Sequence, residues 1–471
     1  MKKLFTNAMV GALAVLLFFA GCNDLLRPPL VEPTNEEAGG NNAGGETGGG
    51  EGAGGEEAGG GNSEEGGEGG GEGGGLGENE NPPPDALIIQ EAEGWLETAY
   101  VTWQPFSGAE KYNVYYKGGG VSAWTRIDDP LIRSYGTYWR ADIPGLAAGV
   151  YNIKVAAVAG GSETGEGEAS GIQVAAHDRS GFAFADGAVP GAYTANGTLK
   201  PDTRILYITD TIKDTVTLTV KTSAKKEETF TGLKKILMDA MQKGYEDRPL
   251  AVRFIGKVTE SGFTLEAGDI MIKDNGKNNG KTSYVTLEGI GDDAVAYGWG
   301  IRTSRASNVE IRNLAFMLTK SNGKDCLEAQ DSEHLWIHNN DFFYGNAGGD
   351  ADQDKGDGAM DTKENTWMTY SYNHFWDTGK SSLLGNGKET PGYHTYHHNW
   401  FDHSDSRHPR VRNHYVHVYN NFYDGVSKYG IGAAANSPSI FAEANYFRNT
   451  KNPMLISMQG SDIASGGKGT F

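Results

Sequence analysis

The sequence predicts an all-β protein: a right-handed parallel β-helix preceded by a β-sandwich. Three observations lead there. The tripeptide Asn-x-Phe recurs five times in the second half of the chain, each time after a short strand-like run. About 90 residues upstream of it alternate bulky and polar side chains between Gly and Pro clusters. A long Gly- and Glu-rich tract sets both of these apart from the N-terminus.

The chain opens with MKKLFTNAMVGALAVLLFFAGC. Two lysines, an apolar run below spanning length and a small-residue site make a signal peptide. Phe19-Ala20-Gly21-Cys22 resembles the bacterial lipobox, with Phe19 in place of the usual aliphatic residue. The expectation is a secreted or cell-surface protein, anchored to a bacterial membrane by lipid on Cys22. That leaves Cys326 as a lone thiol, expected in the core.

Residues 23–84 form a linker dominated by Gly and Glu, with too little apolar surface to fold. Residues 32–84 hold 13 Glu and no Lys, Arg or Asp, so of the net −20 only −7 belongs to the remainder. The folded part is mildly acidic and has no basic field for nucleic acid.

Residues 85–176 carry Tyr100–Trp103, Tyr112–Tyr116 and Val150–Val158, short alternating runs that read as a β-sandwich. The Trp103 strand, the Ala109–Tyr116 strand and the Leu146…Tyr151 approach to a late strand resemble a fibronectin type III module. No catalytic constellation stands out there, so it reads as a spacer or binding unit.

Residues 177–471 are the expected β-helix. Asn-x-Phe is read at Asn340–Phe342, Asn373–Phe375, Asn399–Phe401, Asn420–Phe422 and Asn445–Phe447, with Val309–Asn313 as a related earlier turn. Units of 21 to 33 residues, each a strand followed by an inward Asn, describe coils of a solenoid. The Asn amides would bond from coil to coil and the Phe rings would stack within. The chain stops at Phe471 with no evident capping segment, so the domain is expected to be incomplete at its C-terminus.

Three acidic positions stand out: Asp325 and Asp357 fall about one coil apart, and Asp361 lies four residues further along. Asp325 and Asp357, 32 residues apart, are expected side by side. Converging carboxylates need a cation between them, and all-oxygen ligands suit Ca²⁺. Lys380, Arg407 and Arg412 follow their Asn turns at similar offsets and would share one loop region. Arg407 and Arg412 can bracket one ligand, and the guanidinium fork matches a carboxylate.

Pro190–Tyr193, Asn308–Leu314, Asp357–Asp361, Asn373–Phe375 with Lys380, His397–Asn399, Arg407–Arg412 and Val418–Asn421 together resemble polysaccharide lyase family 1, the pectate lyases. The resemblance runs from about Gly181 to the end. It implies Ca²⁺-dependent β-elimination on α-1,4-linked polygalacturonate. It makes Asp325, Asp357 and Asp361 calcium ligands, Lys380 and Arg412 substrate-binding, and Arg407 the catalytic base. Where the family often has Trp-Ile-Asp-His, this chain has Trp336-Ile337-His338-Asn339, which puts contacts near that rung in question. His374, His398 and His408 read as packing or hydrogen-bonding groups. The alternatives are a polygalacturonase-like hydrolase using Asp357 and Asp361, and a non-catalytic pectin-binding surface protein. A monomer is expected.

Overall fold

In the computed structural model, residues 86–275, 283–320, 325–343, 357–386 and 389–456 are described. The signal peptide, Cys22, the Gly/Glu tract and the last 15 residues lie outside them. Among the described residues no helix is long and apolar enough to cross a membrane.

The alternating runs near the start form two four-stranded antiparallel sheets. One orders Ile89–Gly94, Thr98–Trp103, Trp139–Pro144 and Ile132–Ser134. The other orders Val121–Arg126, Lys111–Gly118, Gly149–Ala159 and Ser162–Val174. Alternation points Tyr112 and Val114 inward between polar neighbours. They join Val101, Trp103, Ile153 and Val155 in one core, with the Trp103 and Tyr112 rings edge-on at 5.2 Å.

This unit is docked on the next one. Ile290, from a solenoid strand, is buried in the sandwich core, and Tyr207 and Ile255 pack against it. Arg133 donates to the Ile290 carbonyl at 3.1 Å, Tyr135 to Asp293 at 2.8 Å, and Arg140 to Asp292 at 3.0 Å.

Beyond it, apart from an antiparallel hairpin of Thr217–Ser223 and Lys226–Thr231, the strands pair in parallel, each with its counterpart one coil on. Three faces result. The first holds Val285–Tyr297, Ser307–Arg312, Glu333–His338, Thr366–Ser371, Tyr393–His397, Tyr415–Tyr419 and Ser439–Glu443. The second holds Ala315–Met317, Asp341–Phe343, His374–Trp376, Trp400–Asp402, Phe422–Asp424 and Tyr446–Arg448. The third runs from Asp269–Lys273 through Gly300–Ser304, Asp325–Gln330, Gly358–Lys363, Leu383–Leu384, Arg410–Val411 and Ile431–Ala433 to Met454–Ile456. Helical turns at Lys235–Ala240 and Met241–Lys243 bury Ile236, Leu237 and Met241 in the same core as the first coils.

Inside the turn between the first two faces, Asn340, Asn373, Asn399, Asn421 and Asn445 form a ladder. Each Nδ2 donates to the next Oδ1, at 3.1, 3.0, 2.9 and 2.9 Å. Burial obliges these amides to find partners, and the stack supplies them. The fourth repeat therefore differs from the sequence reading: the ladder residue is Asn421, not Asn420. Asn420 sits at φ +54°, the left-handed position that Asn339, Tyr372, His398 and Ala444 fill in other coils. Asn tolerates that conformation, so two adjacent asparagines were ambiguous until register decided. The ring stack shifts accordingly. Phe316, Phe342, Phe375, Phe401, Tyr423 and Phe447 lie 4.5–5.2 Å apart, with Tyr423 taking the place read for Phe422.

Cys326 is a free, buried thiol. Burial raises its pKa to about 12, which matches its reading as a core residue.

Candidate active site

The third face carries the charged residues. Across its parallel pairs Asp325 lies beside Gly358, and Glu328 beside Asp361. The sequence reading, which set Asp325 beside Asp357, was one residue out. The offset of both observed pairs is 33, the spacing between Asn340 and Asn373. Gly358 is the hinge of the arrangement. A methyl group on its Cα would stand 2.6 Å from Asp325 Oδ1 and 2.6 Å from Asp361 Oδ1. The two carboxylates thus close on a gap that only the absence of a side chain leaves open.

Burial and mutual repulsion make the pair costly. Burial, then the charges of Asp361 and Asp357, push Asp325 up to about 8. Burial pushes Asp361 up to about 6, against the pull of Arg407 and a hydrogen bond from the Leu383 N–H at 2.9 Å. Like charges sharing a buried site disfavour ionisation unless a cation joins them.

Three cations border the carboxylates. Lys380 Nζ donates to Asp357 Oδ1 at 2.5 Å. Arg407 Nη1 lies 3.4 Å from Asp361 Oδ2. Arg412 has its pKa lowered by burial and then by the neighbouring charge of Arg407. Among the described residues its Nε is buried without a hydrogen-bond partner. The sequence-derived set therefore gathers on one face, with Asp357 paired to Lys380 instead of standing level with Asp325.

Arg407 owes its aim to a local irregularity. Lys380 is bridged to Ser406, an offset of 26, while Leu383 pairs with Arg410, an offset of 27. One extra residue enters between, a β-bulge, and Arg407 takes φ +65°. A non-glycine residue held left-handed beside charged groups marks a site where structure overrides local preference.

The sequence reading passed over Glu328, Arg302, Lys363 and Asp269. Arg302 is ion-paired with Glu328 at 2.9 Å and Asp269 at 3.2 Å, and Lys363 stands 3.9 Å from Glu328. Burial raises Asp269 to about 7, offset by Arg302. The 33-residue ladder period would have found Glu328 directly opposite Asp361.

The histidines are set elsewhere. His374 lies between Asp341 and Asp402, at 3.2 Å from each. His408 bonds Ser404 Oγ and the Tyr429 carbonyl, both at 2.7 Å. His398 is at the end of the first face, stacked on Tyr372, away from the arginines. The departing rung also lies on the first face. His338 is buried, stacks on Trp336 and meets Glu310 at 3.0 Å, so its contacts do not touch the carboxylate group.

A family model described as pectate lyase matches residues 168–468. The chain belongs to the pectate lyase family. A pectate trisaccharide-lyase of Bacillus licheniformis is 31% identical over 224 residues, covering 46% of this chain and 62% of that protein. Pectate lyase 3 of Pectobacterium carotovorum is 31% identical over 191 residues, covering 39% of this chain and 50% of that protein. A crystal structure of a pectate lyase from Bacillus sp. N165 in complex with trigalacturonate aligns at 23% identity and TM-score 0.48, covering 62% of this chain and 84% of that one. The chain spans less than two thirds of the length of these curated relatives. As a pectate lyase family member it has a donor set that fits the hard cation the family implies. Carboxylate oxygens of Asp325 and Asp361 converge at Gly358, and oxygen donors of that kind suit a hard cation.

Proposed function

We propose that this chain is a calcium-dependent pectate lyase that cleaves α-1,4-linked polygalacturonate by β-elimination. The observation that carries the reading is Arg407, held on a bulge 3.4 Å from Asp361 and beside the Asp325–Gly358–Asp361 cradle. Asp325, Asp357 and Asp361 would hold Ca²⁺. When bound, the ion supplies positive charge that stabilises the electron density developing on the substrate carboxylate.

The chain's own groups account for the rest. Lys380 and Arg412 bind the sugar-acid carboxylate and neighbouring oxygens, Lys380 after exchanging its partner Asp357. Arg407 takes the proton from C5. The electron pair of that C–H bond becomes the C4=C5 double bond, and the C4–O bond breaks toward the leaving sugar, which gains a proton from water. A guanidinium is an unusual base because its pKa exceeds ~12. A base of that class works best at alkaline pH, where activity is expected to rise.

Inverting hydrolysis by paired carboxylates is disfavoured. Asp325 Oδ1 and Asp361 Oδ1 each lie 2.6 Å from one point, so they are at most 2 × 2.6 = 5.2 Å apart, short of the ~6.5–9.5 Å that inverting hydrolases need for a water. Asp357 is held by Lys380. Mass spectrometry of the oligogalacturonides decides: elimination gives fragments lacking one water relative to hydrolysis, and hydrolytic masses would overturn the reading.

The finer architecture belongs to the same proposal. We read the solenoid as a right-handed β-helix and the N-terminal unit as a fibronectin type III module. Supporting the latter, Tyr151 donates to the Ala147 carbonyl at 2.9 Å, as in a tyrosine corner. The sequence around Cys22 supports secretion to the cell surface with a lipid anchor.

A further inference from the structure

Between the sandwich and the coils, residues 177–183 cross the outside of the first face. Phe182 N–H donates to Thr395 Oγ1 at 3.1 Å, Ala183 N–H to Thr369 Oγ1 at 3.0 Å, and His334 Nδ1 meets the Ala183 carbonyl at 3.0 Å. At the start of this strap, Asp178 meets His397 and His398.

We propose that Asp178, His397 and His398 form a second metal site, selective for a divalent transition ion, that pins the strap to the solenoid. One ligand atom from each of the three lies within 4.8 Å of the others. The two Nδ1 atoms stand 2.9 Å apart with their rings at 84°. That separation matches adjacent corners of an octahedron at metal–nitrogen distances of ~2.0–2.1 Å. Asp178 Oδ1 accepts from the Ser180 backbone and hydroxyl. Oδ2 is left facing the imidazoles, 3.8 Å from His397 Nδ1 and 3.4 Å from the Tyr372 hydroxyl.

Ring stacking orients the imidazoles, and among the described residues His397 Nε2 has no hydrogen-bond partner. His397 is fully buried and stacks on Tyr419 at 5.0 Å. His398 stacks on Tyr372 at 4.7 Å, with the Asn420 amide 3.5 Å from its Nε2. The left-handed backbone at His398, φ +54°, turns it back toward His397. Imidazole nitrogen suits ions from Co²⁺ to Zn²⁺, whereas the all-carboxylate group on the third face suits Ca²⁺. The two sites therefore discriminate by donor chemistry, and an ion here joins residues more than 200 positions apart in the chain.

The test uses the full chain, stripped with chelator and then saturated with Ca²⁺ to occupy the carboxylates. Titration with Co²⁺ is expected to show one equivalent with visible ligand-field bands and a melting temperature that rises with Co²⁺. Asp178→Asn and His398→Ala are each expected to weaken Co²⁺ binding at least tenfold, with calcium-dependent turnover unchanged. No binding in the calcium-saturated chain would overturn the site, leaving the histidines as a mutual hydrogen bond. Equal binding in both variants would overturn it too, pointing to the Asp402, His403 and Asp424 group instead. If a variant does not fold, imidazole nitrogen NMR of the wild type with Zn²⁺ decides. Shifts confined to His397 and His398 support the site, and unmoved signals defeat it.

Discussion

Gly358→Ala tests the cation cradle without removing a ligand. The added methyl would meet Asp325 Oδ1 and Asp361 Oδ1 at 2.6 Å each, and no positive φ forbids alanine there. Ordinary contact needs roughly 0.8 Å more on each side, so both carboxylates must turn outward. Their convergence is what would hold calcium. Affinity should fall about 10- to 100-fold, or about 1.4–2.8 kcal/mol. The fold should hardly notice. A strand alanine gains up to about 0.5–1 kcal/mol over glycine, which offsets part of the strain. Calorimetric titration of Ca²⁺ into the stripped protein measures the affinity, and thermal unfolding in chelator measures the fold. An unchanged calcium affinity would refute the cradle, since the methyl cannot be accommodated with both oxygens in place.

Other outcomes follow from the same geometry. Arg407→Lys keeps a cation near Asp361 but withdraws the base, so turnover should fall at least ~10²-fold with KM nearly unchanged; steady-state kinetics showing a normal rate would place the base elsewhere. Asp325 and Asp361 are raised to about 8 and about 6 by burial, so the folded chain binds more protons than the unfolded one above pH ~4. Without calcium, stability should therefore fall as pH rises from about 4 to 8, and saturating calcium should flatten that slope; pH-resolved denaturation checks the sign. Removing residues 32–176 takes no group from the third face but uncovers Ile290, Tyr207 and Ile255 and strips Asp292 of Arg140. The truncated chain should melt several degrees lower while its folded fraction keeps its calcium-dependent rate on soluble substrate, and a rate loss in the folded fraction would show that the sandwich shapes the site.

How far the sequence could be read depended on register. The Asn repeat announced coils, an internal amide ladder and a ring stack, because buried amides and aromatic rings impose a period that survives in sequence. The same period, taken strictly, pairs Asp325 with Gly358 and Glu328 with Asp361. Reading 32 as close enough to 33 chose Asp357 and hid both Gly358 and Glu328. One-residue errors of this kind change which side chain faces which, and Asn420 beside Asn421 is a second case. The bulge at Arg407 had no signal of its own, since an inserted residue is visible only against the neighbouring coil. The charges around Asp292 and Arg140 join elements about 150 residues apart, beyond the reach of any local pattern.

The most direct test is absorbance in the near ultraviolet during incubation with polygalacturonate, with excess Ca²⁺ and with chelator. A C4=C5 double bond conjugated to the carboxylate absorbs there, and a hydrolysed end does not. Absorbance that climbs with calcium, stops on chelation and is lost in Arg407→Lys is the predicted result. Chain cleavage without that absorbance, or a rise indifferent to chelator, would contradict the account.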